Sequence, residues 1–461
     1  MTTVTHVAII GAGPGGYEAA LVGRRLGADV TLIHQGVGGS AVLTDCVPSK
    51  ALVATAGVMT DVADSGAVGV RIHGASPAGS DISIDLPSVN ARILEMARTQ
   101  STDIAAQLTE QGVTLIDGRA RLAGPTRIDI DGDVLDADVI LIATGARPRT
   151  MPDAEPDGMR ILTWEQLYDL PVLPEHLIVV GSGVTGAEFA SAYRALGSRV
   201  TLVSSRDRVL PGEDADAALV IEEVFAKRGI TVLPRSRATA ARRTTDGVLV
   251  TLTDGTTIEG SHVLMAVGSL PNSNDLGLDL AGVQLDARGF IDVDRVSRTS
   301  VRGIYAAGDV TGVNMLASVA AMQGRIAMWH ALGDAVLPLE VANVSSTVFT
   351  APEIATVGVS QAQVDSGEVR ADVYLMPLAT NARAKMEEIE DGFVKIICRR
   401  SSRIVAGAVV VSPHASELIH PLTIAVEQRL TVDQLAQTFT IYPSLSGSIA
   451  EAARRLHLSA E

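Results

Sequence analysis

Apolar, β-branched runs recur along the chain, and several of them stop at a glycine. The first, His6-Val7-Ala8-Ile9-Ile10, ends at Gly11-Ala12-Gly13-Pro14-Gly15-Gly16. A helix-periodic stretch from Tyr17 to Leu26 follows, and then a second apolar run from Asp29 to Ile33. The pattern predicts strand, glycine turn, helix and strand. It returns 170 residues later (181 − 11): His176 to Val180 is the strand, Gly181-Ser182-Gly183-Val184-Thr185-Gly186 the turn, Ala187 to Leu196 the helix, and Arg199 to Val203 the next strand. Between the copies, Ile140-Leu141-Ile142-Ala143-Thr144-Gly145 reads as another strand breaking at glycine, and Pro148 and Pro152 mark a crossover. Val263 to Gly268 closes the second unit. Gly303 to Asp309 then leads into a helical run from about Met315 to Leu332. The last stretch alternates strands (Val394 to Cys398, Ile404 to Val411) with helices (Ala415 to Arg429, Ser446 to Leu456) and holds no glycine fingerprint.

Each glycine turn matches GxGxxG in a strand-turn-helix context, the dinucleotide-binding fingerprint. The first glycine permits the tight turn, the second lets backbone approach a pyrophosphate, and the third lets helix and strand pack closely. Amides at the helix N-terminus then face the phosphates. Two copies in one chain point to two dinucleotides, a flavin held by the protein and a nicotinamide that exchanges. That pairing serves hydride transfer. The expected fold is α/β, with two Rossmann-like domains and a C-terminal α+β domain. The expected boundaries are 1–149 with 270–345, 150–269, and 346–461.

Composition narrows the partners. The 461 residues carry 37 Lys and Arg against 53 Asp and Glu, a net charge of −16, which disfavours nucleic acid and anionic lipid. Two cysteines, Cys46 and Cys398, exclude a disulfide framework and a structural zinc site. No signal peptide is visible and no uninterrupted apolar run reaches the ~18 residues of a membrane span. The expectation is a cytoplasmic protein with no metal and no membrane insertion.

The sequence resembles the class I pyridine nucleotide-disulfide oxidoreductases, the group of dihydrolipoamide dehydrogenase, glutathione reductase and soluble transhydrogenase. The carriers are the first fingerprint, Gly38-Gly39 followed by Cys46-Val47-Pro48-Ser49-Lys50, Ala143-Thr144-Gly145, the second fingerprint with Glu188, Ala306-Ala307-Gly308-Asp309, and Phe349-Thr350-Ala351-Pro352-Glu353. The resemblance implies FAD on Gly11, Gly13, Pro14, Gly16, Gly39, Ser40, Lys50, Ala120, Ala143, Thr144, Gly145, Gly308, Asp309 and Ala317. It implies NAD(P) on Gly181, Ser182, Gly183, Gly186, Glu188, Ser204, Arg206, Arg208 and Gly268. It also implies a Lys50–Glu188 pair beside flavin N5, where the ammonium favours negative charge on the reduced ring, and a homodimer built by the C-terminal domain.

The chain departs from that family at the disulfide chemistry. The first cysteine position is Ala41, so only Cys46 remains. The C-terminal histidine and glutamate positions are Tyr442 and Gly447. A phenol, with an ordinary pKa of ~10, cannot replace imidazole as a base at neutral pH. A degenerate member of the family is implied, one in which reduced flavin passes electrons directly to a planar acceptor, a quinone. Cys46 has two readings: a thiol favoured as thiolate by a helix N-terminus, or a small side chain packed under the ring. Tyr442 either contacts the acceptor across the dimer or packs.

Nicotinamide choice turns on the end of the second strand of the second fingerprint. An NAD site places an acid there; this chain has Ser204, followed by Ser205-Arg206-Asp207-Arg208. Hydroxyls with Arg206 and Arg208 suit a 2′-phosphate, so NADPH is expected to be accepted, with NADH also open. The alternatives are a soluble transhydrogenase, favoured by the same arginines, and a non-enzymatic flavin-binding redox sensor.

Overall fold

The structure, a computed structural model, describes residues 4–77 and 82–458. The chain forms two compact units. The first comprises Met1–Ala51, Asn90–Arg149 and Gly268–Val341, and the second Leu52–Val89, Thr150–Val267 and Ala342–Glu461.

The first unit is built on a five-stranded parallel sheet in the order Ile304–Ala306, Val139–Ile142, His6–Ile10, Asp29–His34, Thr114–Asp117. Val7 lies opposite both Val30 and Val139. Alternate residues serve opposite faces. Val7, Ile9, Leu32 and Leu141 pack in one core cluster with Ala19, Ala327 and Met328 of the helices Pro14–Arg25 and Ala317–Ala331. Ala8, Ile10, Ile140 and Ile142 pack in another with Leu122, Ile128 and Ile130 of a small antiparallel sheet. Burial on both faces is why these strands are apolar throughout and not alternating. Each fully buried Val, Leu or Ile contributes roughly 1.5–3 kcal/mol.

The second unit repeats the parallel arrangement, in the order Thr231–Leu233, Arg199–Val203, His176–Val180, His262–Met265, Ile161–Leu162. Its C-terminal part is a five-stranded antiparallel sheet, Ser346–Val348, Glu353–Gly358, Val405–Ser412, Phe393–Arg399, Ala371–Pro377. The helices Ala415–Glu427 and Gly447–Leu458 share its core, with Val394, Ile396, Val410, Ile419, Leu422 and Leu456 among the residues buried there. The α/β class with a C-terminal α+β part is thus the observed architecture.

The first fingerprint helix starts at Pro14, earlier than the apolar periodicity from Tyr17 suggests. Proline fits the first helical position because its missing N–H has no partner there anyway. Among the elements that the sequence reading did not name are the long helix Leu86–Glu110, the helix Ala215–Lys227 and the two three-stranded antiparallel sheets, 120–136 and 238–260. The helical run Gly39–Asp64 is apolar and long enough to cross a membrane by length and composition. Its first turns carry Ser40, Asp45 and Cys46 into a polar cleft.

Candidate dinucleotide cleft and nicotinamide turn

The carboxyl ends of the parallel strands in the first unit open into a cleft of about 610 Å³. Open α/β sheets bind ligands at this edge, where the strand order reverses. Gly11, Gly13 and Pro14 follow the central strand, Ala143, Thr144 and Gly145 follow its neighbour, Gly308 and Asp309 follow the edge strand, and all line the cleft. Gly39, Ser40, Ala120 and Ala317 line it as well. Gly16 sits behind the turn and not on the cleft.

The glycines of the turn do different jobs. A Cβ on Gly16 would stand 1.8 Å from the Gly11 carbonyl oxygen, and one on Gly11 would stand 2.3 Å from that of Ala143, where φ is also +103°. Only glycine fits either place. A Cβ on Gly13 would meet nothing within 4 Å and would project into open space. That free approach is what a pyrophosphate requires. The Gly38 N–H donates to the Ala12 carbonyl at 2.8 Å, which lays the Gly38-Gly39 loop against the turn.

Asp309 is the main titratable feature. Burial, and then the charge of Asp45, push its carboxyl up to about 6. Gln323, itself buried, accepts the Gly308 N–H at 2.8 Å and donates to the Thr311 hydroxyl at 3.3 Å, fixing the bend that presents Asp309. A largely buried carboxyl in a cleft suits the hydroxyls of a sugar or sugar-alcohol chain. With the glycine cradle and a volume in the range of cofactor pockets, these residues fit FAD.

Ala41 and Cys46 both line the cleft, as does Asp45 between them. Neither Cys46 nor Cys398 is in a disulfide, and Cys398 is buried in the strand Phe393–Arg399. Lys50 lies one turn beyond Cys46 on the same helix, Cys46–Asp64, and so on the same face. It is half-buried. Sequence reasoning missed several lining residues: Gln35, Arg119, Arg147, Asn272, Asn274 and Met315. Arg147 donates to the Pro271 carbonyl and to Asn272 Oδ1 at 3.0 and 3.1 Å. No periodicity marks these residues, because they sit in loops, or for Arg147 in the three-residue strand Ala146–Pro148, that only the fold assembles.

In the second unit, Gly181, Ser182, Gly183 and Gly186 form the second turn. A Cβ on Gly186 would fall 1.9 Å from the Gly181 carbonyl oxygen, whereas one on Gly183 would meet open space. Ser204 differs from expectation. It is fully buried, and its hydroxyl bonds to the Ser182 hydroxyl at 2.7 Å and accepts the Arg206 N–H at 3.1 Å. It therefore ties the turn to the strand end and does not face a ligand. Arg206 and Arg208 are exposed. Gly268, read with the second fingerprint, falls in the first unit, where its carbonyl accepts the Arg149 N–H at 2.9 Å.

Glu188 lies just past the first turn of the helix Val184–Leu196 and is buried. Its Oε1 accepts the Phe349 N–H at 2.9 Å, and Ser191, one turn on, accepts the Ala351 N–H at 3.2 Å. Glu188 thus has a role the sequence did not suggest, holding the Phe349–Ala351 loop. Tyr442 is exposed, as are its neighbours Phe439 and Ile441. Gly447 opens the helix Gly447–Leu458.

Comparison with known proteins agrees with this geometry. The pyridine nucleotide-disulphide oxidoreductase model matches residues 5–324, and that family's dimerisation-domain model matches residues 344–453. An NAD(P)H dehydrogenase (quinone) of Mycobacterium tuberculosis is 55% identical over 468 residues, spanning 98% of this chain and 94% of its own length. A dihydrolipoyl dehydrogenase of Chlamydia pneumoniae is 32% identical over 457 residues, spanning 98% and 97%. The crystal structure of LpdA from Mycobacterium tuberculosis, 55% identical, superposes with a TM-score of 0.93 over 98% of this chain and all of that one. The matched dimerisation domain supports a homodimer. The chain therefore belongs to the pyridine nucleotide-disulphide oxidoreductases, enzymes that bind FAD and NAD(P)H.

Proposed function

We propose that this protein is an NAD(P)H:quinone oxidoreductase without disulfide reductase activity. The observation that carries the reading is the wall of the cleft, where Cys46 is the one cysteine among the lining residues and Ala41 stands five positions before it (46 − 41). Dithiol–disulfide exchange needs a second thiol to close the cycle. Two other sites of that chemistry are replaced as well, by Tyr442 and Gly447. The Mycobacterium tuberculosis relative, named for quinone reduction, supports the same reading.

The overall reaction balances as NAD(P)H, a proton and a quinone giving NAD(P)⁺ and a hydroquinone. Bound FAD supplies the two-electron chemistry between nicotinamide and quinone. The residues of the chain bind and bias. The Gly11–Gly16 turn holds the pyrophosphate and Asp309 the hydroxyl-bearing chain. Lys50 supplies positive charge that favours electron density on the flavin ring, and Cys46 packs at the cleft wall without a redox cycle. The Gly181–Gly186 turn binds the nicotinamide dinucleotide, and Arg206 and Arg208 favour a 2′-phosphate. FAD occupies a domain of 1–149 with 270–345, NAD(P) one of 150–269, and 346–461 forms the dimer interface, from which Tyr442 serves the acceptor side. Two cysteines that form no disulfide suit the reducing cytoplasm.

Steady-state oxidation of NADPH with a soluble quinone tests the proposal. Turnover well above the free-flavin background supports it, and no acceleration refutes it. Reduction of thio-NAD in place of quinone would identify a transhydrogenase instead. Failure of NADPH to bleach the bound flavin anaerobically would leave only a binding role.

A further inference from the structure

Position 204 lies 23 residues beyond Gly181 (204 − 181), where the strand end meets the ribose 2′ position of a bound dinucleotide. With the Ser204 hydroxyl consumed internally, recognition falls to the exposed loop 205–208 and to whatever lies beside it. A second segment does lie beside it. The Arg235 N–H donates to the Arg206 carbonyl at 2.9 Å, and the Ser236 N–H donates to the Ser204 carbonyl at 2.7 Å. Arg235 is thereby laid against Arg206, although 29 residues separate them (235 − 206). Its guanidinium stands 3.7 Å from the Asp207 carboxylate, with the two side chains 76% and 80% exposed. Arg235 also adopts φ +51°, the left-handed region that costs a residue with a Cβ and that glycine would occupy without strain.

We propose that Arg235 is a specificity-determining residue that joins Arg206 on the 2′-phosphate of NADPH, with Asp207 as its resting counter-ion. The inference rests on the nicotinamide-dependent reading above. An ion pair this exposed is weakly held, so the guanidinium exchanges carboxylate for phosphate easily. The planar fork of arginine binds phosphate through parallel N–H donors, and the single 3.7 Å approach to Asp207 is too long to engage them as a fork. Arg235 acts twice: it attracts the phosphate, and it neutralises an Asp207 charge that would otherwise repel it. NADH, which lacks the phosphate, gains from neither effect.

The test is calorimetric titration of the FAD-loaded dimer with 2′,5′-ADP and with 5′-AMP. The wild type binds 2′,5′-ADP more tightly, and the preference shrinks as salt is raised. Arg235→Gly relieves the backbone strain, so it keeps or raises the melting temperature while cutting 2′,5′-ADP affinity about tenfold and sparing 5′-AMP. Arg235→Lys keeps the charge without the fork and falls between. Asp207→Asn tightens 2′,5′-ADP severalfold. Unchanged preference in Arg235→Gly overturns the proposal, as does equal loss of both ligands. Weaker 2′,5′-ADP binding in Asp207→Asn removes the counter-ion role. If the wild type binds 5′-AMP with no gain from the 2′-phosphate, this inference fails alone; if it binds neither ligand, the nicotinamide reading fails with it.

Discussion

A Cβ at Gly13 or Gly183 meets open space, while one at Gly16 or Gly186 collides with backbone at 1.8 or 1.9 Å. The two kinds of glycine therefore respond oppositely to alanine. Gly13→Ala should fold with a normal far-UV spectrum and purify without yellow colour. Gly16→Ala should fail to give soluble protein, because the clash is with backbone that cannot move cheaply. Asp309 makes a second prediction at this scale. Its folded pKa of about 6 lies above that of an unfolded aspartate, near 3.8, so the folded state holds the proton more tightly. FAD-free protein should therefore lose stability as pH rises from about 4 to about 6, by on the order of 3 kcal/mol, and the loss should be complete above that window. Asp309→Asn should flatten that slope in thermal melts while weakening FAD binding. Among these residues, the fingerprint glycines were legible in the sequence because their spacing is local, whereas Asp309 was reached only through the resemblance of its Ala306–Asp309 motif to the family. The inward turn of Ser204 was not legible, since it depends on Ser182 arriving from 22 residues away (204 − 182).

At the scale of elements, the parallel strands could be read because burial on both faces makes them continuously apolar. The antiparallel sheet 238–260 hid because its strand Ala238–Arg243 carries exposed arginines and has no unbroken apolar run. The central strands of the second parallel sheet also carry two buried histidines, His176 and His262, whose roles no pattern announces. Burial, and then the charge of Arg160, hold the His262 imidazole down to about 4, and burial with Arg199 lowers His176. A histidine depressed in the fold binds its proton more readily when unfolded. The second unit should therefore lose stability as pH falls from about 6.5 to about 4, by roughly 3 kcal/mol for His262 alone. This is opposite in sign to Asp309. His262→Gln should reduce that acid sensitivity, measured as melting temperature against pH.

At the scale of the whole molecule, a buried charge cluster ties sequence-distant parts of the second unit. Lys395, in the antiparallel sheet, bonds to Asp214 at 2.8 Å and to Asp216 at 2.7 Å. Asp214 also caps the helix Ala215–Lys227, accepting the N–H groups of Asp216 and Ala217. Lys395→Met strands the buried Asp214 carboxylate and should cost ~3–5 kcal/mol in denaturant unfolding, with part of the loss recovered by adding Asp214→Asn. A lone lysine in an apolar strand gave no hint of this, as its partners lie some 180 residues earlier. The fold class and the family's cofactors, by contrast, were legible from two fingerprints and a handful of motifs. The proposed activity turns on where electrons leave the flavin. The most direct measurement is to reduce the purified FAD-loaded protein anaerobically with one equivalent of NADPH. It is then mixed in parallel with a soluble quinone and with oxidised lipoamide while flavin absorbance is followed. Rapid return of the yellow flavin with quinone and none with lipoamide is the predicted result; prompt reoxidation by lipoamide would contradict it.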